Sequence, residues 1–332
     1  MRQALVTGAT GGLGLALAGA LLAAGYGVRA TGRDRRAGQR LVALGATFAP
    51  AELTDPCTDE SLLRGVDAVF HTAALSSPWG PPGAFRTINL DTTSRLVTAA
   101  KAAGAEAFIF VSTPSVYAEP RDRLGLTEES PLAARFANAY AASKHAAEQA
   151  VLAANAPGFA TVVIRPRALV GPDDKVLLPR LVRVARRGSF PLFRGGRALI
   201  DLTDVRDAAA ALIAADRAGV SVGGRAFNVS GGLPATVADT LGEAFGALGL
   251  KTRLVHRPYA VAAAGIAGVE AVYRLLPGRP EPPVTRYSLD ALAFSQTFDL
   301  TAARAALGWS PQFSPQDAIA RTAAAWRSHA PL

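Results

Sequence analysis

Short runs of apolar and β-branched residues alternate with helical segments through the first half of the chain. Strands are predicted, in chain order, at residues 3–7, 27–31, 46–53, 67–74, 107–113 and 160–166. Helices are predicted between them, at residues 13–25, 37–45, 61–66, 89–104 and about 133–155. Such alternation is typical of βαβ units, in which crossover helices cover both faces of a parallel sheet. We therefore predict an α/β fold with a doubly wound parallel sheet.

The pattern changes beyond Pro172, where prolines divide the chain into shorter helices and loops. Short helices separated by loops predict a smaller, mainly helical lobe. The run at residues 224–232 is β-like, and we expect it to return to the main sheet. We accordingly assign residues 1–172 and 198–232 to the main domain, and residues 173–197 and 233–332 to the lobe.

The composition allows a large core and narrows the class of partner. Of 332 residues, 50% are hydrophobic and 18% are charged, so extensive disorder is not expected. Lys and Arg number 35 against 26 Asp and Glu, a net charge of +9 that suits an anionic ligand. No basic block with interleaved aromatic residues occurs, and we therefore predict no nucleic-acid partner.

Cysteine and histidine usage argues against metal and disulfide chemistry. Cys57 is the single cysteine, and the four histidines lack metal-ligand spacing, so we predict no metal site and a cytoplasmic location. Four glycines interrupt the N-terminal stretch that otherwise resembles a secretory signal. The apolar run at residues 260–276 contains Glu270 and Arg274 and is shorter than the ~20 residues of a membrane span. We expect it to form a buried helix or a lid, without membrane-surface contact.

A glycine-rich turn follows the first predicted strand directly. In "VTGATGGLG", Gly8, Gly11 and Gly14 stand between this strand and the first helix. A turn this tight needs residues that tolerate positive φ, as glycine does. A pyrophosphate can approach the backbone closely only where no Cβ intervenes. The helix N-terminus then offers free N–H groups to the phosphates. The turn predicts dinucleotide binding.

The end of the second predicted strand distinguishes between the two nicotinamide dinucleotides. NAD sites usually carry an acidic residue there that holds the ribose 2′-hydroxyl. This chain has Gly32 followed by Arg33, a combination that suits a 2′-phosphate. We therefore predict NADP(H), with NAD(H) as the alternative because Asp34 lies next in sequence.

Hydroxyl, phenol and amine groups converge on the predicted carboxyl edge of the sheet. Tyr140 and Lys144 are four residues apart and share one helix face. Thr113 follows the fifth strand, at the edge where ligands of open α/β sheets bind. Tyr140 can act as the general acid or base in hydride transfer at a carbonyl, while Thr113 orients the substrate oxygen. Lys144 is expected to lower the pKa of Tyr140 and to hold the nicotinamide ribose.

Together these motifs resemble the extended short-chain dehydrogenase/reductase superfamily. The resemblance covers nearly the whole chain through "TGATGGLG" (7–14), "HTAA" (71–74), "NLDTT" (89–93), "STPSVY" (112–117), "YAASK" (140–144) and "IRPRALVGP" (164–172). It implies a Rossmann domain and places the catalytic hydroxyl on Thr113 rather than Ser112. One departure is Glu52-Leu53, where the superfamily often has Asp-Leu near the adenine. The cofactor-binding residues it implies are Gly8, Thr10, Gly11, Gly12, Leu13, Gly14, Arg33, Glu52, Leu53, Thr72, Ala73, Ala74, Tyr140, Lys144 and Pro166.

The branch that the chain resembles comprises 3β-hydroxysteroid dehydrogenases, dihydroflavonol reductases and 2-alkyl-3-oxoalkanoate reductases. This resemblance implies an NADP(H)-dependent oxidoreductase that interconverts a ketone and a secondary alcohol on a hydrophobic small molecule. Helix 260–276 is then a natural lid, and a homodimer is expected by analogy. The candidate substrate residues are Trp79, Ser115, Arg167, Phe190, Phe193 and Tyr259.

Two alternatives stay open from the sequence. A nucleotide-sugar epimerase of the same superfamily would need a clamp for a diphosphate, which Arg165, Arg194, Arg197 and Arg206 can offer. A 4,6-dehydratase would need an acid pair beside Thr113, and none is present. The lesser alternative is a non-catalytic dinucleotide sensor, although Tyr140 is retained.

Overall fold

The computed structural model describes residues 1–174 and 176–329, so the last three residues of the predicted lobe lie outside it. The strands formed within these ranges are β1 (Gln3–Thr7), β2 (Gly27–Gly32), β3 (Thr47–Pro50), β4 (Ala68–His71), β5 (Ala107–Val111), β6 (Arg123–Leu126), β7 (Ala160–Pro166), β8 (Leu169–Val170), β9 (Ser189–Phe193), β10 (Leu199–Ile200), β11 (Thr203–Asp204), β12 (Arg225–Val229), β13 (Ala235–Thr236), β14 (Arg253–Arg257) and β15 (Gln296–Phe298).

The α-helices of the same ranges lie between these strands and after them. They are α1 (Gly12–Ala23), α2 (Arg35–Ala43), α3 (Asp59–Leu63), α4 (Pro82–Phe85), α5 (Thr92–Ala102), α6 (Ala139–Ala153), α7 (Leu177–Ala185), α8 (Val205–Ala218), α9 (Val237–Ala247), α10 (Tyr259–Leu275), α11 (Arg286–Ala293), α12 (Thr301–Leu307) and α13 (Pro315–His329). A π-helical segment, Arg86–Asp91, joins α4 to α5.

Seven parallel strands form the main sheet, in the order β12-β7-β5-β4-β1-β2-β3. The order reverses direction at β1, which is the mark of a doubly wound sheet. The predicted fold class is therefore confirmed. The late strand β12 pairs with β7 and completes one edge of the sheet.

Alternating side chains of the strands build one core on each face of the sheet. On β1, Leu5 packs with α3, α5 and α6, while Ala4 and Val6 face α1, α8 and α12. Such period-two alternation is what a strand covered on both faces requires. The two layers of helices hold the carboxyl edge of the sheet in place, and that edge carries the candidate site.

Smaller sheets organise the part of the chain beyond β7. Strands β13, β10, β15 and β6 form one of them, and β9 pairs with β14 in another. Because β6 comes from the first half of the chain, the first of these sheets links the main domain to the C-terminal residues. Strand β10 belongs to it as well, so residues 199–200 pair outside the main sheet, whereas residues 225–229 pair inside it. The predicted division into domains stays a prediction.

Two expectations about individual helices need correction. The helix predicted from residue 133 begins at Ala139, because Asn138 Oδ1 accepts a hydrogen bond from Ala141 N (2.9 Å) and caps it there. The lid expected at residues 260–276 forms as α10, which packs on α11 but contributes no residue to the candidate cavity among those the structure describes. Within the described ranges, no helix combines the length and apolarity needed to cross a bilayer.

Candidate active site

The glycine turn between β1 and α1 is built for a close approach of backbone segments. Gly8 has φ +65°, and a Cβ there would lie 2.7 Å from the Ala73 backbone. A Cβ on Gly14 would lie 2.3 Å from the Gly8 carbonyl oxygen. Only glycine satisfies both positions, and the result is a bare backbone surface at the N-terminus of α1. Such a surface fits a dinucleotide pyrophosphate.

The segment after β4 is fixed against this turn by hydroxyl groups. Thr72 Oγ1 donates a hydrogen bond to the Thr7 carbonyl (2.7 Å). The ring of His71 bridges the Thr7 hydroxyl (2.7 Å) and the Thr93 hydroxyl (2.9 Å). Burial lowers the pKa of His71 to about 3, with a smaller contribution from Lys144, so the ring is neutral near pH 7. His71 therefore has a structural role here.

Asn89, in the π-helical segment, ties the cofactor side of the cavity to the catalytic helix. Its amide group exchanges hydrogen bonds with the Leu75 backbone, accepting at 2.8 Å and donating at 3.2 Å. It also donates to Ser143 Oγ on α6 at 3.0 Å. The side chain is fully buried, so all of these bonds are shielded from water. This single amide holds two walls of the cavity in register.

Tyr140 lies on the first turn of α6, and its phenol lies close to the Thr113 side chain. Burial raises the pKa of the Tyr140 phenol to about 12, while the interaction with Thr113 acts in the opposite direction. The phenol is thus protonated across the physiological range. The sequence predicts that Lys144 lowers this pKa. Burial is the largest cause of the shift and acts upward, and the role of Lys144 stays a prediction.

Lys144 lies one turn further along α6 and is 1% exposed. Its Nζ stands 3.9 Å from the centre of the Phe110 ring. Burial lowers the pKa of this amine to about 7, and Glu148 on the next turn partly opposes the shift. Burial therefore acts on both groups, since it raises the pKa of the Tyr140 phenol and lowers the pKa of the Lys144 amine. Both shifts favour the uncharged form of the side chain.

A chain of hydroxyl groups continues from Thr113 into the C-terminal region. Thr113 Oγ1 donates to Ser115 Oγ (2.9 Å), which in turn lies 2.7 Å from the Tyr287 hydroxyl on α11. Sequence reasoning missed Tyr287, because 172 residues separate it from Ser115 and no motif marks it. Ser112 Oγ, by contrast, is buried and lacks a hydrogen-bond partner among the described residues. Both Ser112 and Thr113 line the cavity, and the choice of Thr113 as the hydroxyl that faces substrate stays a prediction.

A cavity of about 1260 Å³ runs along the carboxyl edge of the main sheet. Its wall includes every residue predicted to bind the cofactor, together with Thr113, Ser115 and Arg167. Beyond the catalytic groups the cavity continues into a second region, which we term the apolar arm. The arm is lined by Leu177, Leu178, Leu181, Ile200, Leu202, Leu241, Ala244, Leu248, Ile319 and Ala323.

Four of the predicted substrate residues lie away from the cavity wall. Phe190 and Phe193 are buried in separate hydrophobic clusters of the lobe, and Phe190 packs on Phe245. Tyr259 bonds Asp290 (2.8 Å) through its hydroxyl group. Trp79 Nε1 donates to a backbone carbonyl at residue 279 (3.1 Å). Their packing explains the difference, because each ring stabilises the lobe or its contacts and none faces the cavity.

The adenine end of the cavity carries the features that bear on cofactor choice. Gly32 ends β2, where a Cβ would lie 2.6 Å from Thr10 Oγ1. Arg33 is exposed at the cavity and lies 3.6 Å from Glu52. Asp34 caps α2 by accepting a hydrogen bond from Ala37 N (3.0 Å). Asp34 and Arg33 both line the cavity, so the end of β2 presents an acidic side chain that caps α2 and a basic side chain that is exposed.

This doubly wound fold, with its glycine turn and its Tyr140–Lys144 pair on one cavity, defines a class of dinucleotide-dependent α/β enzymes. Comparison with known proteins narrows the class. The profile of the NAD dependent epimerase/dehydratase family matches residues 4–230. The 2-alkyl-3-oxoalkanoate reductase of Stenotrophomonas maltophilia is 34% identical over 325 residues, which are 96% of this chain and 97% of that protein.

A second relative and a solved structure extend the comparison. The 4-hydroxy-2-methyl-3-oxo-4-farnesyl-3,4-dihydroquinoline-1-oxide ketoreductase of Stigmatella aurantiaca is 33% identical, over 96% of this chain and 94% of that protein. The UDP-glucuronic acid 4-epimerase of Bacillus cereus, solved in complex with NAD, superposes with a TM-score of 0.76. It covers 98% of this chain and 97% of that chain at 20% identity, a likeness of fold.

The chain belongs to the NAD dependent epimerase/dehydratase family, within the short-chain dehydrogenase/reductase superfamily. The resemblance inferred from its motifs is thereby confirmed. It is an NAD(P)-dependent oxidoreductase that acts on a CH–OH group.

Proposed function

We propose that this protein reduces a ketone on a hydrophobic small molecule, with NADP(H) as its cofactor. The observation that carries the proposal is the convergence of Tyr140, Thr113 and Lys144 on one cavity beside the glycine turn. When bound, NADPH supplies the hydride that adds to the carbonyl carbon. The remaining chemistry, which is to orient the carbonyl and to protonate its oxygen, belongs to the residues of this chain.

The protonation state of Tyr140 suits reduction. With a pKa raised to about 12, the phenol carries the proton that a developing alkoxide needs. Thr113 lies close to the phenol and can hold the same carbonyl oxygen, so the substrate is oriented as the proton is transferred. Ser115 and Tyr287 support Thr113 from the far side of the cavity. Lys144 lies one turn beyond Tyr140, where it can bind the nicotinamide ribose.

The apolar arm supports a hydrophobic substrate. Leucine, isoleucine and alanine side chains line it, and Arg180, Thr240, Arg321 and Thr322 also belong to the cavity wall. Ligand pockets typically combine such an apolar wall with a few convergent polar groups. The names of the two ketoreductase relatives also describe substrates with apolar chains. We therefore place the carbonyl of the substrate at Thr113 and its hydrocarbon part in the arm.

The preference for NADP(H) rests on Gly32 and Arg33. The absence of a carboxylate on residue 32 removes the usual partner of a ribose 2′-hydroxyl, and Arg33 offers a cation for a 2′-phosphate. In Arg33→Ala, the KM for NADPH should rise about 10-fold or more, while the KM for NADH changes little. Arg36→Ala, which also removes an exposed arginine of this segment, is the control. Equal effects of Arg33→Ala on both cofactors would contradict the assignment.

The epimerase alternative gains less support. The arginines that the sequence offers as a diphosphate clamp are not among the described residues of the cavity wall. Arg165 pairs with Glu148, Arg194 with Asp122, and Arg206 with Asp204. Three of the four charges are thus already matched by carboxylates, and the fourth arginine, Arg197, is not among the described residues of the cavity wall. These observations weigh against a diphosphate clamp of the predicted kind.

The decisive experiment is Tyr140→Phe with a panel of steroids, 3-oxo acids, aryl ketones and UDP-sugars, followed by loss of NADPH absorbance. We expect the wild-type protein to reduce at least one hydrophobic ketone, and kcat to fall about 100-fold or more in the variant. Tyr273→Phe, on α10 away from the cavity, is the matched control. Ketone reduction that survives Tyr140→Phe unchanged would defeat the proposed chemistry. Light scattering would test the homodimer, which stays a prediction.

A further inference from the structure

Five arginines line the cavity, and four of them have a carboxylate partner. Three of these pairs are Arg33 with Glu52 at 3.6 Å, Arg40 with Asp173 at 2.7 Å, and Arg180 with Glu281 at 2.9 Å. The fourth is Arg321 with Asp204 at 3.8 Å. Arg167 is the exception, because no carboxylate of the described residues lies within 4 Å of its guanidinium.

Arg167 follows the last residue of β7, close to the catalytic groups. Its Nε is buried and lacks a hydrogen-bond partner among the described residues, and Tyr287 lies close enough to favour its charged form. Asp201 is the one carboxylate whose charge also favours this form. It is fully buried and accepts a hydrogen bond from Ser230 Oγ (2.7 Å) through Oδ2, while its Oδ1 has no hydrogen-bond partner among the described residues. Arg167 therefore faces the cavity with hydrogen-bonding capacity to spare.

Such an arrangement is costly unless an anion completes it. A guanidinium stays charged in proteins, and a charge removed from water needs a partner. The other cavity arginines have a carboxylate in contact. Arg167 has only the more distant attraction of Asp201, without an ion-pair contact. The structure therefore leaves a place for an anionic group of a ligand, and a planar guanidinium matches a carboxylate with two parallel hydrogen bonds.

The position of Arg167 identifies which part of the ligand it can reach. Tyr287 lies near Arg167 and is hydrogen-bonded to Ser115, and Ser115 is hydrogen-bonded to Thr113. Only two side chains thus separate the guanidinium from the hydroxyl that faces the ketone. A carboxylate a few bonds from the carbonyl, as in a 3-oxo acid, can reach Arg167 while its ketone oxygen stays at Thr113.

We propose that Arg167 is a specificity-determining residue that binds the carboxylate of an oxo-acid substrate. The proposal rests on the ketone-reductase function proposed above and names its substrate class: an acid with the ketone near the carboxylate and a hydrocarbon chain in the apolar arm. The arginine and the arm thus recognise opposite ends of one amphipathic molecule.

The test uses the stable reduced form of such a substrate. Rates of NADP⁺-dependent oxidation of 3-hydroxydodecanoate and of its methyl ester are compared in wild type, Arg167→Met, Arg167→Lys and Arg194→Met. We expect wild type to favour the acid. Arg167→Met should lower the acid-to-ester ratio of kcat/KM roughly 10- to 100-fold, mainly through KM, and Arg167→Lys should restore part of it. Arg194→Met, whose arginine pairs with Asp122 away from the cavity wall, should keep the wild-type ratio.

Several results would overturn the assignment. These are a wild type that does not distinguish acid from ester, a ratio unchanged in Arg167→Met, or a raised KM for NADP⁺ with the ratio intact. The last result would mean that Arg167 serves a cofactor phosphate.

A wrong assignment of Arg167 and a wrong proposed function would give different results. If wild type reduces neutral ketones but shows no preference for acids, only the assignment of Arg167 fails. If no ketone or alcohol reacts, the proposed function fails, and calorimetric titration with 3-hydroxydodecanoate still tests Arg167. We then expect Kd to rise about 10-fold or more in Arg167→Met, and an equal Kd in both proteins would refute the assignment. Thermal unfolding checks that each variant is folded.

Discussion

The buried amine of Lys144 makes a quantitative prediction about pH. Burial lowers its pKa from an ordinary value of 10.5 to about 7. Since one pKa unit corresponds to 1.36 kcal/mol, the folded state disfavours the ammonium by roughly 5 kcal/mol relative to water. The unfolded chain keeps this proton up to about pH 10.4, whereas the folded protein releases it near pH 7. Between these two values, Lys144 should therefore make the protein more stable as pH rises, by roughly 1.4 kcal/mol per pH unit.

The perturbation that tests this is Lys144→Met, with the exposed Lys251→Met as control. The free energy of unfolding in urea is measured for all three proteins from pH 6 to 11. We expect wild type and the control to gain stability across the window, relative to Lys144→Met. The chain has four lysines, so ¹³C NMR of labelled lysine side chains can follow each amine directly. A Lys144 signal that titrates near pH 10, or identical pH dependence of stability in wild type and Lys144→Met, would refute the reasoning.

Three further predictions concern stability and the hydroxyl chain. Glu148→Ala leaves the buried Arg165 without its carboxylate partner and should lower the free energy of unfolding in urea by about 3–5 kcal/mol. The exposed Glu60→Ala should lower it by under ~1 kcal/mol, and equal losses in the two variants would contradict this prediction. Tyr287→Phe should lower kcat about 10-fold with the thermal midpoint nearly unchanged; an unchanged kcat would exclude a role for its hydroxyl. Because the pKa of His71 is about 3 when folded and about 6.5 when unfolded, stability should fall as pH drops between these values. His71→Asn should lose less stability than wild type as the pH drops through this range. An equal loss in both proteins would contradict the prediction.

Features encoded within one short segment could be predicted from the sequence. The glycine turn follows from steric exclusion at Gly8 and Gly14, which are a few residues apart. Tyr140 and Lys144 share a face because a helix brings residues i and i+4 together. The doubly wound sheet follows from the alternation of strand and helix patterns. Each of these depends on local periodicity, which a sequence displays directly.

Features that depend on packing between distant segments could not be predicted. Tyr287 reaches Ser115 across 172 residues, and the sequence around it reads as an ordinary helix start. Phe190 and Phe193 were candidates for the pocket because they are aromatic, yet the lobe buries them in its own clusters. The pKa of Tyr140 was expected to fall beside an ammonium, but burial acts on phenol and amine together. Desolvation is a property of the whole surroundings, which no motif records.

The edge strand β12 has a consequence for how the protein is made. Strand β7 is synthesised well before Arg225–Val229, its neighbour in the sheet, emerges from the ribosome. Until then the nascent sheet exposes a row of unpaired backbone groups on an apolar strand, the kind of edge that invites aggregation. A fragment truncated after residue 172 would keep that bare edge permanently. A cut at residue 172 therefore removes the strand that covers this edge, and the main sheet is complete only once Arg225–Val229 has been synthesised.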